Sequence, residues 1–293
     1  MLYKGANSYY REFFGKKVYK ASVSLPVTCP NRDGSKGTGG CIFCSAGGSG
    51  EFAACSSASV TDQIDEAISR LSSKIKTEDT GFIAYFQSFT NTYIDPVVLR
   101  AALEEASRHP SVVGISLGTR PDCLPDDILA VLKESASKIP LYVELGLQTE
   151  SDETAVLINR CYETKLFPEA VAKLKGIGVN VIAHVILYLP GEDKEQMKRS
   201  VKLVADCGCD GIKLTCLYVL EGTPLADIWR RGNLYLPDME EYFDTVEELL
   251  GDLPDNITVH RITGDGPKKL LLAPMWTANK RQVINYINRR FGS

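Results

Sequence analysis

Short β-branched runs alternate with amphipathic segments along most of this chain, and that alternation constrains its fold more than any other feature. Residues 81–87 precede 95–108, 112–117 precede 125–137, 141–147 precede 167–176, 180–187 precede 194–207, and 211–218 precede 224–231. The first of each pair reads as a strand and the second as a helix. Residues 18–25 add a strand ahead of them, and an early helix shows the period best, with Ile64, Ala67, Ile68, Leu71 and Ile75 on one face. Pro96 and Pro125 stand where helices begin, and Gly176 and Gly208 where they end. A strand–helix–strand crossover returns to a parallel neighbour with right-handed sense. The expected result is an α/β fold with six parallel strands in a barrel or partial barrel, and a candidate seventh at 257–262. With 293 residues, 44% of them hydrophobic, and no repeat or low-complexity stretch, the chain suits one continuous unit.

Cys29, Cys41 and Cys44 form the pattern C-x11-C-x2-C directly after the strand at 18–25. Three thiolates hold three irons of a [4Fe–4S] cube and leave the fourth iron open to an exogenous ligand. Gly34, Gly37, Gly39 and Gly40 permit the close backbone approach that such a group needs. Zinc is the competing occupant and requires a fourth ligand, for which Cys55 is nearest. Three incidental buried thiols are a further alternative, at odds with a polar, glycine-rich loop. The other cysteines (Cys55, Cys123, Cys161, Cys207, Cys209, Cys216) are scattered and read as small buried residues. Nine cysteines, an odd number, with no secretory signal point to a reducing cytosol. The longest apolar run, 179–189, is too short to span a bilayer, so a soluble, cytoplasmic protein with no membrane partner is expected.

In a parallel barrel the carboxyl ends of the strands carry the chemistry. Here those ends read Q-S-F-T-N-T (87–92), G-T-R-P-D (118–122), V-E-L-G-L-Q-T-E (143–150) and H-V-I-L-Y-L-P-G-E (184–192). Glu144 sits inside an apolar strand, where a carboxylate is costly unless paired or used. His184 lies in a similar setting and reads either as functional or as a satisfied core histidine. The net charge of −4 hides an asymmetry: residues 260–293 hold seven Lys or Arg against one acid, Asp265. Lys268, Lys269, Lys280, Arg281, Arg289 and Arg290 are candidate phosphate contacts and Trp276 a candidate base-stacking ring, with a solvated helix face and a core tryptophan as the alternative.

The cysteine loop C-P-N-R-D-G-S-K-G-T-G-G-C-I-F-C, followed in order by A-Y-F-Q-S-F-T-N-T-Y, G-T-R-P-D-C-L-P, V-E-L-G-L-Q, the Leu-Pro-Gly-Glu turn and H-R-I-T-G-D-G-P, resembles the YhcC/YtqA family of radical SAM proteins. That family is related to the radical SAM domain of the Elongator catalytic subunit; its acetyltransferase half has no counterpart here. The resemblance implies a partial (β/α)6 TIM-type barrel over 17–235, after an N-terminal segment at 1–16 and before a C-terminal extension with a basic terminal helix at 236–293.

The resemblance also implies the cofactors: a [4Fe–4S] cluster on Cys29, Cys41 and Cys44, and S-adenosylmethionine (SAM) chelated to the open iron and cleaved reductively to a 5′-deoxyadenosyl radical. Gln87, Ser88 and Thr90 stand where such enzymes meet the methionyl amine, with Phe89 in place of a glycine-rich turn. Gln148 and Arg160 match residues aimed at the ribose and carboxylate, His184 takes the place of an acidic ribose ligand, and Phe43 offers backbone and ring to the adenine. An electron donor such as flavodoxin or ferredoxin is implied as partner. The Elongator relationship implies tRNA as substrate, with a carboxymethylaminomethyl group on C5 of the wobble uridine processed to aminomethyl. Asp122 and Glu144 would then position an amine or shuttle a proton. Two other readings are a radical SAM enzyme for a small molecule or protein, and a metal-binding module without catalysis.

Overall fold

The computed structural model describes residues 2–48, 57–75, 79–264 and 266–292; Cys55 and Asp265, weighed above, lie outside them. Seven parallel strands form one sheet in chain order: β1 (Lys17–Val23), β2 (Thr80–Phe86), β3 (Val112–Thr119), β4 (Leu141–Gln148), β5 (Asn180–Leu187), β6 (Gly211–Cys216) and, past the short β7 (Val219–Leu220), β8 (Thr258–Arg261). The sheet curls into a half-barrel. β7 pairs antiparallel with β9 (Leu271–Ala273) instead. The candidate strand at 257–262 is β8, parallel to β6, so the sheet has seven strands where six were counted and draws its last one from beyond residue 236.

The helices are α1 (Ala6–Phe14), α2 (Val60–Leu71), α3 (Pro96–Arg108), α4 (Asp126–Ala136), α5 (Asp152–Leu157), α6 (Leu166–Gly176), α7 (Lys194–Asp206), α8 (Pro224–Arg230), α9 (Met239–Gly251) and α10 (Lys280–Phe291). Their boundaries follow local chemistry. Asp95 caps α3 by accepting from the Val97 amide, with Pro96 in the first turn. Asp193 and Gln196 close a reciprocal capping box on α7.

Successive strand residues point to opposite faces, and the two faces differ in kind. Phe86, Leu117, Val143, Leu145, Val181 and Ala183 face outward into the main core with Leu99, Leu103, Ile128 and Leu132 of the helices. Each fully buried Leu or Phe there contributes about 1.5–3 kcal/mol. On the inner face, Val18, Ile83, Tyr142 and Ile182 form a small separate cluster with Tyr10 of α1. The Tyr10 and Tyr142 rings meet edge to face at 6.1 Å. Helix α1 therefore covers the amino-terminal end of the half-barrel. Two residues further along the same strands the inner face turns polar, with Lys20, Tyr85, Glu144 and His184, and the carboxyl ends stay open.

Candidate active site

A cavity of ≈ 1060 Å³ occupies the open end, and Cys29, Cys41 and Cys44 all line it. The eleven residues between Cys29 and Cys41 do not separate them. Asp33 and Thr38 form an antiparallel bridge, Gly34 turns the chain at φ 90°, and the Gly40 amide returns to the Asn31 carbonyl at 2.8 Å. A Cβ on Gly37 would lie 2.2 Å from Asn31 Oδ1, so the approach requires glycine there. Asn31 donates through Nδ2 to the Asn159 carbonyl and, at 3.7 Å, to Cys41 Sγ. Asn159 donates in turn to the carbonyls of Thr38 at 3.1 Å and Gly40 at 2.8 Å, fastening the loop to the segment after α5.

Two guanidinium groups flank the thiols. Arg32 donates to the carbonyls of Cys44, at 3.3 Å, and Ser45, at 2.5 Å. Arg120 reaches Cys29 Sγ at 3.8 Å while its other edge grips Asp122 with two bonds of 2.9 Å. The Cys41 thiol donates to Cys44, which with the Arg32 charge lowers Cys44 against its burial and raises Cys41. Among the described residues no three His, Cys, Asp or Glu side chains gather tightly enough to hold a single metal ion. Three thiols on one wall, flanked by cations and close-packed backbone, fit a multi-iron cube better than one tetrahedral atom.

Deeper in the half-barrel, Glu144 is 1% exposed and takes five donors. Oε1 accepts from Lys20 and from Ser116 at 3.0 Å; Oε2 accepts from Lys213, from Tyr85 at 2.7 Å and from His184 Nε2 at 2.8 Å. Burial alone would raise this carboxyl, but Lys20 and Lys213, with His184, hold it well below the usual range. Burial, with the Lys213 charge, pushes His184 down to about 4 against the pull of Glu144. The imidazole is therefore neutral at pH 7, with its Nε2–H on Glu144 and a lone pair left on Nδ1. Saturated and ionised, Glu144 is poorly suited to the proton shuttling expected of it.

Other sequence candidates divide. Phe43, Gln87, Thr90, Gln148 and His184 all line the cavity. Gln148, at φ 62°, accepts at 2.7 Å from the Tyr162 hydroxyl, which fixes its amide. Ser22 donates to Gln87 at 3.2 Å. Ser88, which the resemblance sets beside the methionyl amine with Gln87 and Thr90, bonds Ser24 Oγ at 2.7 Å in the protein interior and does not line the cavity. Arg160 also borders the cavity but is 0% exposed, and its donors are taken by the carbonyls of Leu147, Thr149 and Tyr162 and by Asp152 and Thr164. It braces the loop carrying Tyr162, which corrects the expectation that it presents free donors to a ligand. Asp122 is held by Arg120 and, at 2.7 Å, by Lys36, and borders a different cavity. Burial opposes its ionisation, but the Arg120 hydrogen bonds outweigh it and keep the carboxyl below its usual range. Asp122 therefore acts on Arg120.

In the basic tail, Lys268, Lys269 and Lys280 line the same cavity as the cysteines, and Arg281 is exposed on α10. Arg290 is paired with Asp244 and Glu247, so it is not offered to phosphate. Trp276, partly buried, packs against the core 5.4 Å from the Tyr242 ring and donates to the Pro237 carbonyl at 3.1 Å, so the protein itself holds its ring. The sequence reading missed Arg120, Tyr162, Lys20 and Lys213. A lysine inside an otherwise strand-like run was the available signal for the last two. Among the described residues no helix is long and apolar enough to cross a membrane.

A parallel half-barrel with three cysteines at the carboxyl ends of its strands defines a class of cluster-binding protein. The radical SAM superfamily pattern matches residues 28–204, and the Radical SAM C-terminal domain matches residues 209–292. The chain belongs to the radical SAM superfamily, in the family of YtqA and YhcC, and its cofactors are those of the superfamily, a [4Fe–4S] cluster and SAM. YtqA of Bacillus subtilis (strain 168) is 43% identical over 98% of this chain and 88% of its own length. YhcC of Escherichia coli (strain K12) is 34% identical over 91% of this chain and 85% of its own. The tRNA uridine(34) acetyltransferase of Methanocaldococcus jannaschii is 27% identical over 62% of this chain and 34% of its own length. Among solved structures, Elp3 of the archaeon Methanocaldococcus infernus matches with a TM-score of 0.68 at 18% identity, over 94% of this chain and 63% of that one. At that identity the likeness is one of fold.

Proposed function

We propose that this protein is a radical SAM enzyme that modifies tRNA, processing a carboxymethylaminomethyl group on C5 of the wobble uridine to aminomethyl. The observation that carries this reading is the position of Lys268, Lys269 and Lys280, which line the same cavity as Cys29, Cys41 and Cys44. A polyanion held by these lysines can pass one nucleotide inward, past the cysteine wall. The 27% identity to a tRNA uridine(34) acetyltransferase, over 62% of this chain, supports the choice of nucleic acid.

Bound cluster and SAM supply one-electron chemistry that removes a hydrogen atom from a substrate C–H bond. The chain's own residues hold and orient. Gln148, fixed by Tyr162, presents an amide to a ribose or carboxylate, and the Nδ1 lone pair of neutral His184 accepts from a hydroxyl. Arg120 sets a positive charge beside Cys29, and Asp122 keeps it there. Phe43 and Thr90 line the space where the adenine and methionyl groups would lie. Helix α1 closes the amino-terminal end of the half-barrel, so substrate would reach the reacting atoms from the carboxyl ends of the strands. A small acidic reductant such as flavodoxin or ferredoxin completes the set of partners.

Comparing modified nucleosides in tRNA from cells with and without the gene tests the reading. Carboxymethylaminomethyluridine should accumulate, and aminomethyl products fall, when the gene is absent. In vitro, deuterium should pass from tRNA labelled on the C5 substituent into 5′-deoxyadenosine. Unchanged nucleosides together with no label transfer would refute a tRNA substrate and leave the radical SAM assignment in place.

A further inference from the structure

The charges on the cavity do not balance. Among the described residues that line it, eight are Arg or Lys and one, Glu144, is a carboxylate. Arg32, Arg120 and Arg160 lie by the cysteines and are committed to protein partners. The imbalance that matters sits on the floor, where two ammonium groups, Lys20 and Lys213, share the single Glu144.

Glu144 already takes five donors, more than the roughly four lone-pair positions of a carboxylate. It has nothing left for the second charge. Lys213 is 4% exposed, and of its three N–H donors only the one on Glu144 is hydrogen-bonded among the described residues. Its Nζ also lies 4.9 Å from the centre of the Tyr85 ring, and Arg261 is its register partner on β8. His184 is neutral and Ser116 and Tyr85 only donate to Glu144, so none of them adds negative charge. Arg261 lines the same cavity and adds positive charge. A buried ammonium with donors to spare is costly unless a ligand completes it. Lys20, Lys213 and Arg261 against Glu144 leave about two positive charges in excess, and burial together with its cationic neighbours holds Lys213 well below the usual lysine range; one singly charged anion would offset half of that excess and favour the protonated amine.

We propose that Lys213, with Arg261, forms an anion subsite on the cavity floor that takes a carboxylate carried by the substrate. This deepens the function proposed above and rests on the cavity being where substrate reacts. A carboxylate there matches the acid end of a carboxymethylaminomethyl group, and the subsite would select against substrates that end in an amine or amide.

The test measures dissociation constants by anaerobic isothermal titration, using protein that carries its cluster. The probes are N-acetylglycine, its uncharged analogue N-acetylglycinamide, SAM, and the nucleoside 5-carboxymethylaminomethyluridine. The parent protein should prefer the acid over the amide by about ten-fold or more, the usual worth of a charge-assisted hydrogen bond. That preference should disappear in Lys213→Gln and shrink in Arg261→Gln, an exposed position where the fold is retained even if Lys213→Gln misfolds. SAM affinity should be unchanged in both. Equal binding of acid and amide to the parent, or a preference unaffected by both substitutions, overturns the subsite. So does a loss of SAM affinity in both variants, which would make the anion SAM's own carboxylate. If N-acetylglycine behaves as expected but the nucleoside does not bind, the subsite stands and the wobble-uridine reading fails.

Discussion

Replacing Glu144 with Gln should be among the most damaging single substitutions in the half-barrel. The change keeps the shape of the side chain but removes the one charge opposing Lys20 and Lys213, and it puts an NH2 group among five donors. At an effective dielectric of about 20, opposite charges about 4 Å apart attract by about 4 kcal/mol, and here there are two such pairs. Part of that is recovered. Lys20, whose side chain is 26% exposed, regains hydration, and Lys213, already pushed well below the usual lysine range by burial, can give up its proton. The remainder is the usual cost of orphaning a buried ion partner, about 3–5 kcal/mol. Urea unfolding of the reconstituted protein measures it, with far-UV circular dichroism and tryptophan fluorescence required to coincide before a two-state free energy is extracted. Adding Lys213→Met to Glu144→Gln should restore about 2 kcal/mol or more, because the buried amine that has lost its carboxylate, charged or neutral, is replaced by an apolar side chain. A Glu144→Gln variant within about 1 kcal/mol of the parent, or a double variant no better than the single one, would show that the network is not an electrostatic unit.

Replacing Cys29, Cys41 and Cys44 together with Ala should abolish bound iron and sulfide in anaerobic analysis, while Cys55→Ala should leave both intact. Gln148→Ala should weaken SAM binding by about 0.5–1.5 kcal/mol with the cluster retained, whereas Arg160→Ala should lower the unfolding midpoint before any selective effect on SAM is seen. His184 titrates at about 4 in the folded protein against 6.5 when unfolded, so between those values the unfolded chain binds the extra proton. Stability should therefore fall as pH drops from about 6.5 to 4, by up to about 3 kcal/mol from this group, and His184→Gln should flatten that part of the slope, leaving the share of His260. A Lys268, Lys269, Lys280 and Arg281 quadruple Ala variant should bind tRNA more weakly, with a log–log salt slope shallower by roughly 0.7–0.9 for each phosphate no longer neutralised.

The strands and helices were legible because each is a local pattern. Residues 180–187, read as a strand from β-branched content alone, coincide with β5. The cysteine wall was legible for a similar reason, since three thiols in a polar loop have few other uses. Partnerships across the half-barrel were not legible. Lys213 meets Glu144 across 69 positions and Lys20 meets it across 124, and no local period records such pairings. Arg160 misled because sequence shows that an arginine is present but not whether its donors are free. Asp122 misled in the opposite way: two residues from Arg120, it was close enough to suggest the pair that neutralises it.

The bridge between Asp33 and Thr38 frees the distance between Cys29 and Cys41 from the number of residues that separate them. The hairpin's base fixes the two sulfurs, and its tip meets the body of the protein through the Lys36–Asp122 pair and the Ser35–Tyr93 hydrogen bond. Loop-closure entropy rises slowly, so doubling the length of that excursion costs only about 0.6 kcal/mol. A search keyed to a fixed gap between the first two cysteines would pass over proteins built this way, whereas one keyed to the closely spaced last pair and the strand before it would find them. The same tip offers a place to graft a reporter group within reach of the cysteine wall, provided that Lys36 is kept.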